Sequence, residues 1–342
     1  MKKAQLMNRV NREVLLSELR STPQARTTLS FYKYHRIENL KSLRNELYLK
    51  LDALQTKGRI FIAHEGINAQ ISVPNNLFEA LKETLYSYNY LNNVRLNVAV
   101  TDDGKSFFKL TIKVKDKIVA DGLNDDTFDA SDTGTHLDAA AFNALTDDAN
   151  TILVDMRNHY ESEVGYFEGA IRPDADTFKD EIKLVEEIIR GQEDKNIVMY
   201  CTGGIRCEKA SAWFKHKGFK NMFQLAGGII NYAQQVKATH ERNKFKGVNF
   251  VFDERLGERI TNEIISKCHQ CQKPADKHRN CTNEGCHFLF IQCADCFENT
   301  LGCCSQQCTD FIQLPLEQQI LLRKTTKFTG TKNKKGRRSD DG

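Results

Sequence analysis

The chain has 342 residues, of which 40% are hydrophobic and 27% charged, and a formal net charge of +4. This length exceeds what a single hydrophobic core usually organises, so we expect two or three domains. No apolar run approaches the roughly 18 residues that a membrane helix needs, and polar residues interrupt the N-terminus where a signal peptide would be apolar. We therefore expect a cytoplasmic protein without membrane contact. The small net charge does not by itself indicate nucleic-acid binding.

Short, clearly separated elements follow residues 1–25, which we interpret as an N-terminal extension. Leucines recur at helical spacing from Leu40 to Leu54, and β-branched and aromatic residues mark the strands. The patterns predict strands over 27–34, 59–63, 67–73 and 94–100 and helices over 39–56 and 76–88. The resulting order, βαββαβ, is that of the ferredoxin-like fold, which we assign to residues 26–115.

Two segments of this first domain are candidates for substrate contact. Residues 32–36 interleave aromatic and basic side chains, as surfaces that bind RNA do, although an ordinary strand with a solvated basic face is the simpler interpretation. His64 and Glu65 lie in a predicted turn between two apolar strands. They could contact substrate, but a tight hairpin explains the following Gly66 equally well.

A polar linker over 116–136 separates this domain from an α/β domain over 137–238. Apolar strands (152–154, 197–200 and 222–225) alternate there with helical patterns (176–190 and 207–217). This alternation predicts a mainly parallel sheet with helices on both faces, whose ligands bind at the carboxyl ends of the strands. Asp155 lies at such an end. It could brace a loop or accept a hydrogen bond from it, or it could be an ordinary capping or salt-bridging residue.

The loop from Cys201 to Arg206 is the strongest candidate for chemistry. It connects a buried strand to a helix, so backbone N–H groups and the helix dipole should favour the Cys201 thiolate and lower its pKa. Two glycines permit the close backbone approach, and Arg206 adds a fixed positive charge. We predict Cys201 and Arg206 as catalytic residues. The loop residues between them are Thr202, Gly203, Gly204 and Ile205. Cys207, which follows, could resolve an oxidised or sulfur-loaded Cys201.

Nine of the 11 cysteines lie within residues 268–308. They are Cys268, Cys271, Cys281, Cys286, Cys293, Cys296, Cys303, Cys304 and Cys308. Two C-x2-C pairs separated by 21 residues are a strong zinc signature, and few large apolar residues are available to fold this segment without metal. We predict a zinc module over 239–312, with an iron–sulfur site or a redox relay as the alternative. Spacing does not show which cysteines share an ion.

The end of the chain, residues 313–342, is rich in positive charge. Eight Lys or Arg and no acidic residue lie between Arg323 and Arg338. We expect a disordered tail, which could hold RNA phosphates or be merely solvated.

Several motifs carry a resemblance to known families. The C-x4-R loop, the segment 152–157 with Glu161, the F-E-G-A-I stretch at 167–171 and the L-A-G-G-I stretch at 225–229 resemble the rhodanese domain. Rhodanese-like phosphatases have a loop one residue longer, so the resemblance disfavours phosphatase chemistry. The succession of ferredoxin-like, rhodanese-like and Cys-rich parts resembles the bacterial rhodanese-related tRNA uridine hydroxylases.

That resemblance implies oxygen-dependent hydroxylation at C5 of the wobble uridine, with Cys201 essential, molecular oxygen as co-substrate and the tRNA anticodon loop as partner. The enzyme would be an oxidoreductase, and the sequence carries no flavin or nicotinamide signature. Cys201 could add to C6 of the uracil, or could itself carry oxygen or sulfur as a sulfenate or persulfide. A sulfurtransferase using a Cys201 persulfide and a non-catalytic adaptor that binds zinc and RNA are the alternatives.

Overall fold

The first domain is built on one mixed sheet. The computed structural model describes residues 24–125 and 127–328, with isolated positions among the preceding ones. The sheet contains β1 (Arg26–Tyr34), β2 (Lys57–Ala63), β3 (Gly66–Pro74), β4 (Asn97–Val98) and β5 (Leu110–Val114), in the order β4-β1-β3-β2-β5. Helices α1 (Leu40–Ala53) and α2 (Phe78–Tyr86) complete the βαββαβ order. The predicted ferredoxin-like arrangement is therefore confirmed.

Apolar alternation explains why this sheet forms. Ile60 and Ile62 of β2 are fully buried and share a core with Leu47 and Leu51 of α1, two of the leucines at helical spacing. The predicted strand over 94–100 is shorter than expected, because only Asn97 and Val98 make ladder bonds with β1. Strand β5, which pairs in parallel with β2, was not predicted from the sequence.

The second sheet is entirely parallel, as predicted. Its strands are β6 (Thr135–Leu137), β7 (Thr151–Asp155), β9 (Asn196–Tyr200) and β10 (Met222–Leu225), in the order β6-β10-β9-β7. The segment expected to be linker contributes to the structure, since β6 begins at its end. Ile118 and Asp121 of the same segment are buried.

Helices cover both faces of this sheet, which confirms the predicted layering. They are α3 (Ala139–Thr146), α4 (His159–Ser162), α5 (Phe178–Ile189), α6 (Ile205–His216) and α7 (Gly228–Thr239). Ile197 and Met199 of β9 pack against α5 and α6, whereas Val198 and Tyr200 pack against α3 and α7. Because successive residues of a strand point to opposite faces, β9 is buried on both sides. Its last residue leads directly into the loop that starts at Cys201.

The Cys-rich region is joined to this domain by strand pairing. Strand β11 (Phe245–Asn249) pairs with β8 (Gly165–Phe167) and with β12 (Glu258–Arg259). Beyond it lie the hairpin of β13 (His278–Asn280) and β14 (Leu289–Ile291) and the helices α8 (Ala294–Thr300), α9 (Gln306–Ile312) and α10 (Leu316–Leu322). Across the part of the chain that the structure describes, no helix is both long enough and apolar enough to cross a membrane.

The C-terminal segment differs from its expected disorder where it is described. Helix α10 lies inside the predicted tail, and Gln319 within it donates to the carbonyls of Ile312 and Leu314. Arg323 forms a salt bridge of 2.9 Å with Glu284, which ties the end of α10 to the Cys-rich region. Residues 329–342, with much of the predicted basic charge, lie outside the described residues, as does most of the predicted N-terminal extension.

A buried charge cluster connects the first domain to the parallel-sheet domain. The ammonium of Lys209, on α6, lies 2.5 Å from carboxylate oxygens of both Glu65 and Asp121. Only 2% of the Lys209 side chain is exposed, and that of Asp121 is fully buried. Removing one partner of a buried ion pair leaves an uncompensated charge, so this cluster should hold the domains in a fixed relation.

We therefore predict that Lys209→Met lowers the free energy of unfolding by about 3–5 kcal/mol, because Glu65 and the buried Asp121 would lose the cation between them. Asp121 would keep only the partly exposed Lys117 as a cationic partner. Denaturant unfolding monitored by Trp213 fluorescence measures the change. Lys220→Met is the matched control: Lys220 pairs with Asp194 at 3.0 Å, but both side chains are largely exposed. That substitution should change stability by less than about 1 kcal/mol. Equal effects of the two substitutions would contradict the proposed clamp.

Candidate functional site

A cavity of about 270 Å³ lies where the three parts of the chain meet, and Cys201 is in its wall. The first domain contributes strands β1 to β4. The parallel-sheet domain contributes the loop after β9 and the start of α7, and the Cys-rich region contributes the segment after β11. The lining is mostly apolar and includes Phe61, Phe107, Ile118, Val119, Ile205, Ile230, Val251 and Phe252. A flat, uncharged ring with polar edges would suit such a lining.

The loop geometry brings backbone donors to the Cys201 sulfur. The Gly204 N–H donates to Cys201 Sγ at 3.1 Å. Gly204 has a φ of +102°, a conformation that other residues rarely adopt, and a Cβ there would lie 2.7 Å from the Tyr32 hydroxyl. The glycine is thus required both by the loop's own turn and by the close approach of the first domain.

The surroundings of Cys201 favour its thiolate. Burial opposes ionisation, since Cys201 is only 1% exposed. A hydrogen bond from the Cys207 thiol, the positive charge of Arg206 and N–H groups of the loop outweigh burial and lower the pKa of Cys201 to about 6. Cys201 is therefore mainly a thiolate at neutral pH, as the sequence predicted.

Arg206 is held by a carboxylate that was not predicted as part of the site. Its two terminal nitrogens lie 2.7 and 2.8 Å from the carboxylate oxygens of Glu161, whose side chain is fully buried. The guanidinium also lies over the ring of Phe252, with its carbon 5.9 Å from the ring centroid. Bidentate pairing fixes the orientation of Arg206 beside the loop. Because both terminal nitrogens are engaged, Arg206 acts on Cys201 mainly through its charge.

Cys207 and Asp155 occupy positions behind the cavity rather than in its lining. Burial, the hydrogen bond to Cys201 and the charge of Cys201 raise the pKa of Cys207 well above its usual range, so Cys207 remains a thiol that donates to its neighbour. Asp155 accepts hydrogen bonds from Arg157 at 2.7 and 2.8 Å and from the Tyr200 hydroxyl at 2.7 Å. Asp155 is thus fully engaged in a buried salt bridge beneath the loop, the ordinary role considered for it.

The Cys-rich region contains two groups of four thiols. In each group the sulfur atoms lie within 4.8 Å of one another. One group is Cys268, Cys271, Cys293 and Cys296, and the other is Cys281, Cys286, Cys304 and Cys308. Each could hold a metal ion. Cys303 belongs to neither group, so its inclusion among the predicted ligands is not supported by its position.

Proteins of known name resemble the chain over nearly its whole length. A tRNA uridine(34) hydroxylase of Pectobacterium carotovorum is 53% identical over 319 residues, which are 93% of this chain and 90% of that protein. A protein of the same name from Leptospira interrogans is 52% identical over 323 residues, covering 94% and 88%. A third, from Photorhabdus laumondii, is 50% identical over 340 residues, covering 98% and 96%. The chain belongs to the tRNA uridine(34) hydroxylase family.

Three family models match successive parts of this hydroxylase-family chain. The UPF0176 acylphosphatase-like domain matches residues 26–118, the rhodanese-like domain matches 138–235, and the rhodanese C-terminal model matches 246–309. The resemblance to rhodanese drawn from the C-x4-R loop is therefore confirmed. The matches follow the same three parts that surround the cavity.

In this member of the hydroxylase family, the first domain supplies two site residues, Tyr32 from the candidate segment 32–36 and Asn97, which the local sequence did not reveal. The Asn97 side-chain N–H donates to the Gly203 carbonyl at 3.1 Å, and the Tyr32 hydroxyl donates to Glu208 at 2.8 Å. Both residues line the cavity. Asn97 lies on a two-residue strand, and its contact with the loop spans 106 positions of sequence, so only the fold could identify it.

Tyr34 and the turn residues His64 and Glu65, among the substrate-contact candidates of the first domain, make contacts within the protein. Tyr34 is turned inward, with its hydroxyl 3.4 Å from the Ile205 carbonyl, and burial raises its pKa well above the usual range. Tyr34 therefore packs between the domains, whereas Tyr32 lies at the domain interface and lines the cavity. Glu65 binds Lys209 and accepts from the Ile118 N–H, and His64 lies 2.8 Å from the Ile37 carbonyl. The turn before Gly66 is therefore a tight hairpin whose side chains bind within the protein, which is the alternative to substrate contact that the sequence left open.

We predict that alkylation of Cys201 by iodoacetamide rises as pH increases through about 6 and then levels off, because only the thiolate reacts. Cys207→Ala should move this midpoint upward by roughly one pH unit, since a hydrogen bond to a charged group is worth about 1.5 kcal/mol. Mass spectrometry of the peptide carrying Cys201 measures the rate. Cys303→Ser, a buried change outside the site, should leave the midpoint unchanged. A midpoint near 9 in the wild type would refute the activated thiolate.

Proposed function

We propose that this protein hydroxylates C5 of the wobble uridine of tRNA, position 34, with Cys201 as the nucleophile. The observation that carries the proposal is the Cys201 thiolate in an apolar cavity, in a chain about half identical to proteins named tRNA uridine(34) hydroxylase. An anticodon loop presents its bases unpaired, so a base can be turned into a cavity without breaking a duplex. We place the enzyme in the cytoplasm, where tRNA is modified.

The thiolate supplies the first step. Cys201 Sγ adds to C6 of the uracil, the C5–C6 double bond opens, and negative charge spreads over C5 and the C4 carbonyl as an enolate. The enolate carbon C5 then bonds to O₂ and takes up a proton to give a C5 hydroperoxide, whose O–O bond is cleaved by the two-electron reductant with two protons, leaving a C5 hydroxyl group and water. The proton on C5 then leaves, and departure of the Cys201 thiolate from C6 restores the double bond. A low pKa of Cys201 favours both the first and the last step of the reaction, because the thiolate is present at neutral pH and is also a good leaving group.

The loop is arranged to stabilise the charge that develops. Backbone N–H groups converge on the Cys201 sulfur, as the Gly204 bond shows, and such donors would stabilise negative charge that develops beside the sulfur. Arg206, whose two terminal nitrogens each donate to Glu161, adds a positive field and keeps the loop in position. The apolar walls exclude water and strengthen both effects.

Oxygen is the co-substrate that we propose. Conversion of uridine to 5-hydroxyuridine consumes one O₂, two electrons and two protons. One oxygen atom becomes the hydroxyl group and the other becomes water. A two-electron reductant is therefore a second co-substrate. The sequence has no flavin or nicotinamide fingerprint, so we expect this reductant to be supplied in solution.

We further propose that both four-cysteine groups bind zinc. Tetrahedral Zn²⁺ with bonds of about 2.3 Å places its sulfur ligands roughly 3.8 Å apart. The Sγ atoms of Cys271 and Cys293 are 3.6 Å apart, those of Cys286 and Cys304 are 3.6 Å apart, and those of Cys304 and Cys308 are 3.9 Å apart. Four thiolates leave no open position, so the ions would be structural. They would hold the region that carries the Val251 and Phe252 walls of the cavity.

The enzymatic proposal predicts a change in tRNA composition. In cells that lack the protein, wild type should restore 5-hydroxyuridine or its derivatives, whereas Cys201→Ser should not, because a serine hydroxyl is not ionised at neutral pH. Mass spectrometry of tRNA nucleosides measures both. Cys303→Ser should restore the modification fully. If wild type changes no uridine derivative, the hydroxylase proposal fails.

The six-residue loop favours a sulfurtransferase as the second candidate, with Cys201 carrying a persulfide. Thiocyanate formation from thiosulfate and cyanide would identify it, and the same Cys201→Ser variant would abolish that activity. A purely binding adaptor would instead hold RNA equally well with and without Cys201. The intact thiolate environment favours an enzyme over this third alternative.

The zinc proposal predicts two bound ions per chain, measured by elemental mass spectrometry of the purified protein. Cys271→Ser should leave about one, because it removes a ligand from the first group only. Cys303→Ser should keep two, since Cys303 lies outside both groups. Equal zinc loss in these two variants would contradict the assignment, and iron in place of zinc would favour the cluster alternative.

A further inference from the structure

A second cavity, of about 360 Å³, adjoins the Cys201 cavity and is lined differently. The two cavities share Tyr32 and Asn97 as wall residues. The remaining lining is mainly polar and comes from both domains: Lys33, Tyr34, Asn93, Val94, Arg95, Ala130, Ser131, Thr133, His136, Glu208 and Gly227. A mostly apolar cavity therefore adjoins a mainly polar one, and Tyr32 and Asn97 border both.

Two cations line this second cavity without a carboxylate partner among the described residues. Lys33 lies on β1. Arg95 lies two residues before β4, the strand that pairs with β1. Lys33 and Arg95 both line the second cavity together with the shared wall residues Tyr32 and Asn97. Both side chains are exposed. Elsewhere at the domain interface the cations are neutralised, as Lys209 and Arg255 show.

The single acid in the lining does not cancel these charges. The Glu208 carboxylate accepts from the Tyr32 hydroxyl at 2.8 Å and lies 2.9 Å from His136 Nε2. Burial opposes its ionisation, but hydrogen bonds and the charge of His136 lower the pKa of Glu208. Glu208 is thus an ionised group whose partners are already in place. Lys33 and Arg95 remain available to an external anion.

Asn97 provides a second, independent observation that points to a ligand at this cavity. It is 4% exposed, and its Oδ1 has no hydrogen-bond partner within the described ranges, although its Nδ2 donates to Gly203. A buried acceptor without a donor is unfavourable, which indicates that a donor arrives with a ligand. The hydroxyl groups of a ribose are such donors.

We infer that this second cavity binds the sugar–phosphate backbone of the RNA whose base enters the Cys201 cavity. Lys33 and Arg95 contact backbone phosphates, and Asn97 Oδ1 accepts from the ribose between base and phosphate. A base and its phosphates are joined through one ribose, so the backbone must lie beside the cavity that holds the base. The inference rests on the proposed function, because it requires an RNA substrate.

The test is binding of an anticodon stem-loop RNA with uridine at position 34, measured by fluorescence anisotropy over a range of KCl concentrations. The double variant Lys33→Gln with Arg95→Gln should bind about 10-fold to 100-fold more weakly at low salt. The slope of log affinity against log salt concentration is negative, and its magnitude should fall by about 1–2 in the double variant. Each single-strand phosphate contact contributes roughly 0.7 to that magnitude, and two contacts would be lost. Alkylation of Cys201 should keep its pH midpoint, which shows that the site is intact.

Lys113→Gln is the matched control. Lys113 is an exposed cation of the same domain, but it lies on β5, at the opposite edge of the sheet from β4. The Lys113→Gln variant should bind the RNA with the wild-type affinity and the wild-type salt slope. If the double variant keeps the wild-type affinity and salt slope, or if Lys113→Gln loses as much affinity, the inference is wrong, although the hydroxylase proposal stands. If wild type binds no RNA and leaves tRNA nucleosides unchanged, both are wrong.

Discussion

A negative charge on a buried sulfur is the constraint on which the site depends. Cys201 is almost inaccessible, and a thiolate in such a place is unfavourable unless donors and positive charge surround it. The Gly204 N–H, the Cys207 thiol and Arg206 provide that compensation. Each of them lies in the loop after β9 or in the first turn of α6, so one strand-to-helix connection contains the groups that stabilise the thiolate. The buried Glu161 then holds Arg206 in place.

The loop alone makes an activated thiolate but not a substrate site. The cavity exists because the first domain covers the loop, with Tyr32 against Gly204 and Asn97 on the Gly203 carbonyl. The Lys209 cluster fixes this arrangement through charges that would be unfavourable if the domains separated. Across the described part of the chain, no carboxylate at this interface pairs with Lys33 or Arg95, so the second cavity is cationic whereas the Cys201 cavity is mostly apolar. An apolar space for a ring next to a cationic space for phosphate suits a nucleotide better than a small inorganic sulfur donor.

The Cys-rich region is connected to this chemistry by packing. Cys268 and Leu289 share a small core with Phe250 and with Tyr160, which adjoins Glu161. The Phe250 carbonyl lies 3.4 Å from the Thr202 hydroxyl, within the loop itself. A region with few large apolar residues needs another source of rigidity, and the two four-sulfur groups would supply it by holding metal ions. Metal binding there would stabilise the third wall of the cavity.

Local patterns in the sequence determined the βαββαβ order, the parallel sheet, the C-x4-R loop and the metal-ligand chemistry, because each depends on residues close together along the chain. The tertiary structure alone decided which cysteines group together and that Cys303 is left out. It also placed Asn97 at the loop, engaged Asp155 with Arg157 and turned Tyr34 inward. These contacts join residues through packing between domains and within loops, which leaves no periodicity or spacing in the sequence. Two adjoining cavities likewise arise only when separately folded parts are brought together.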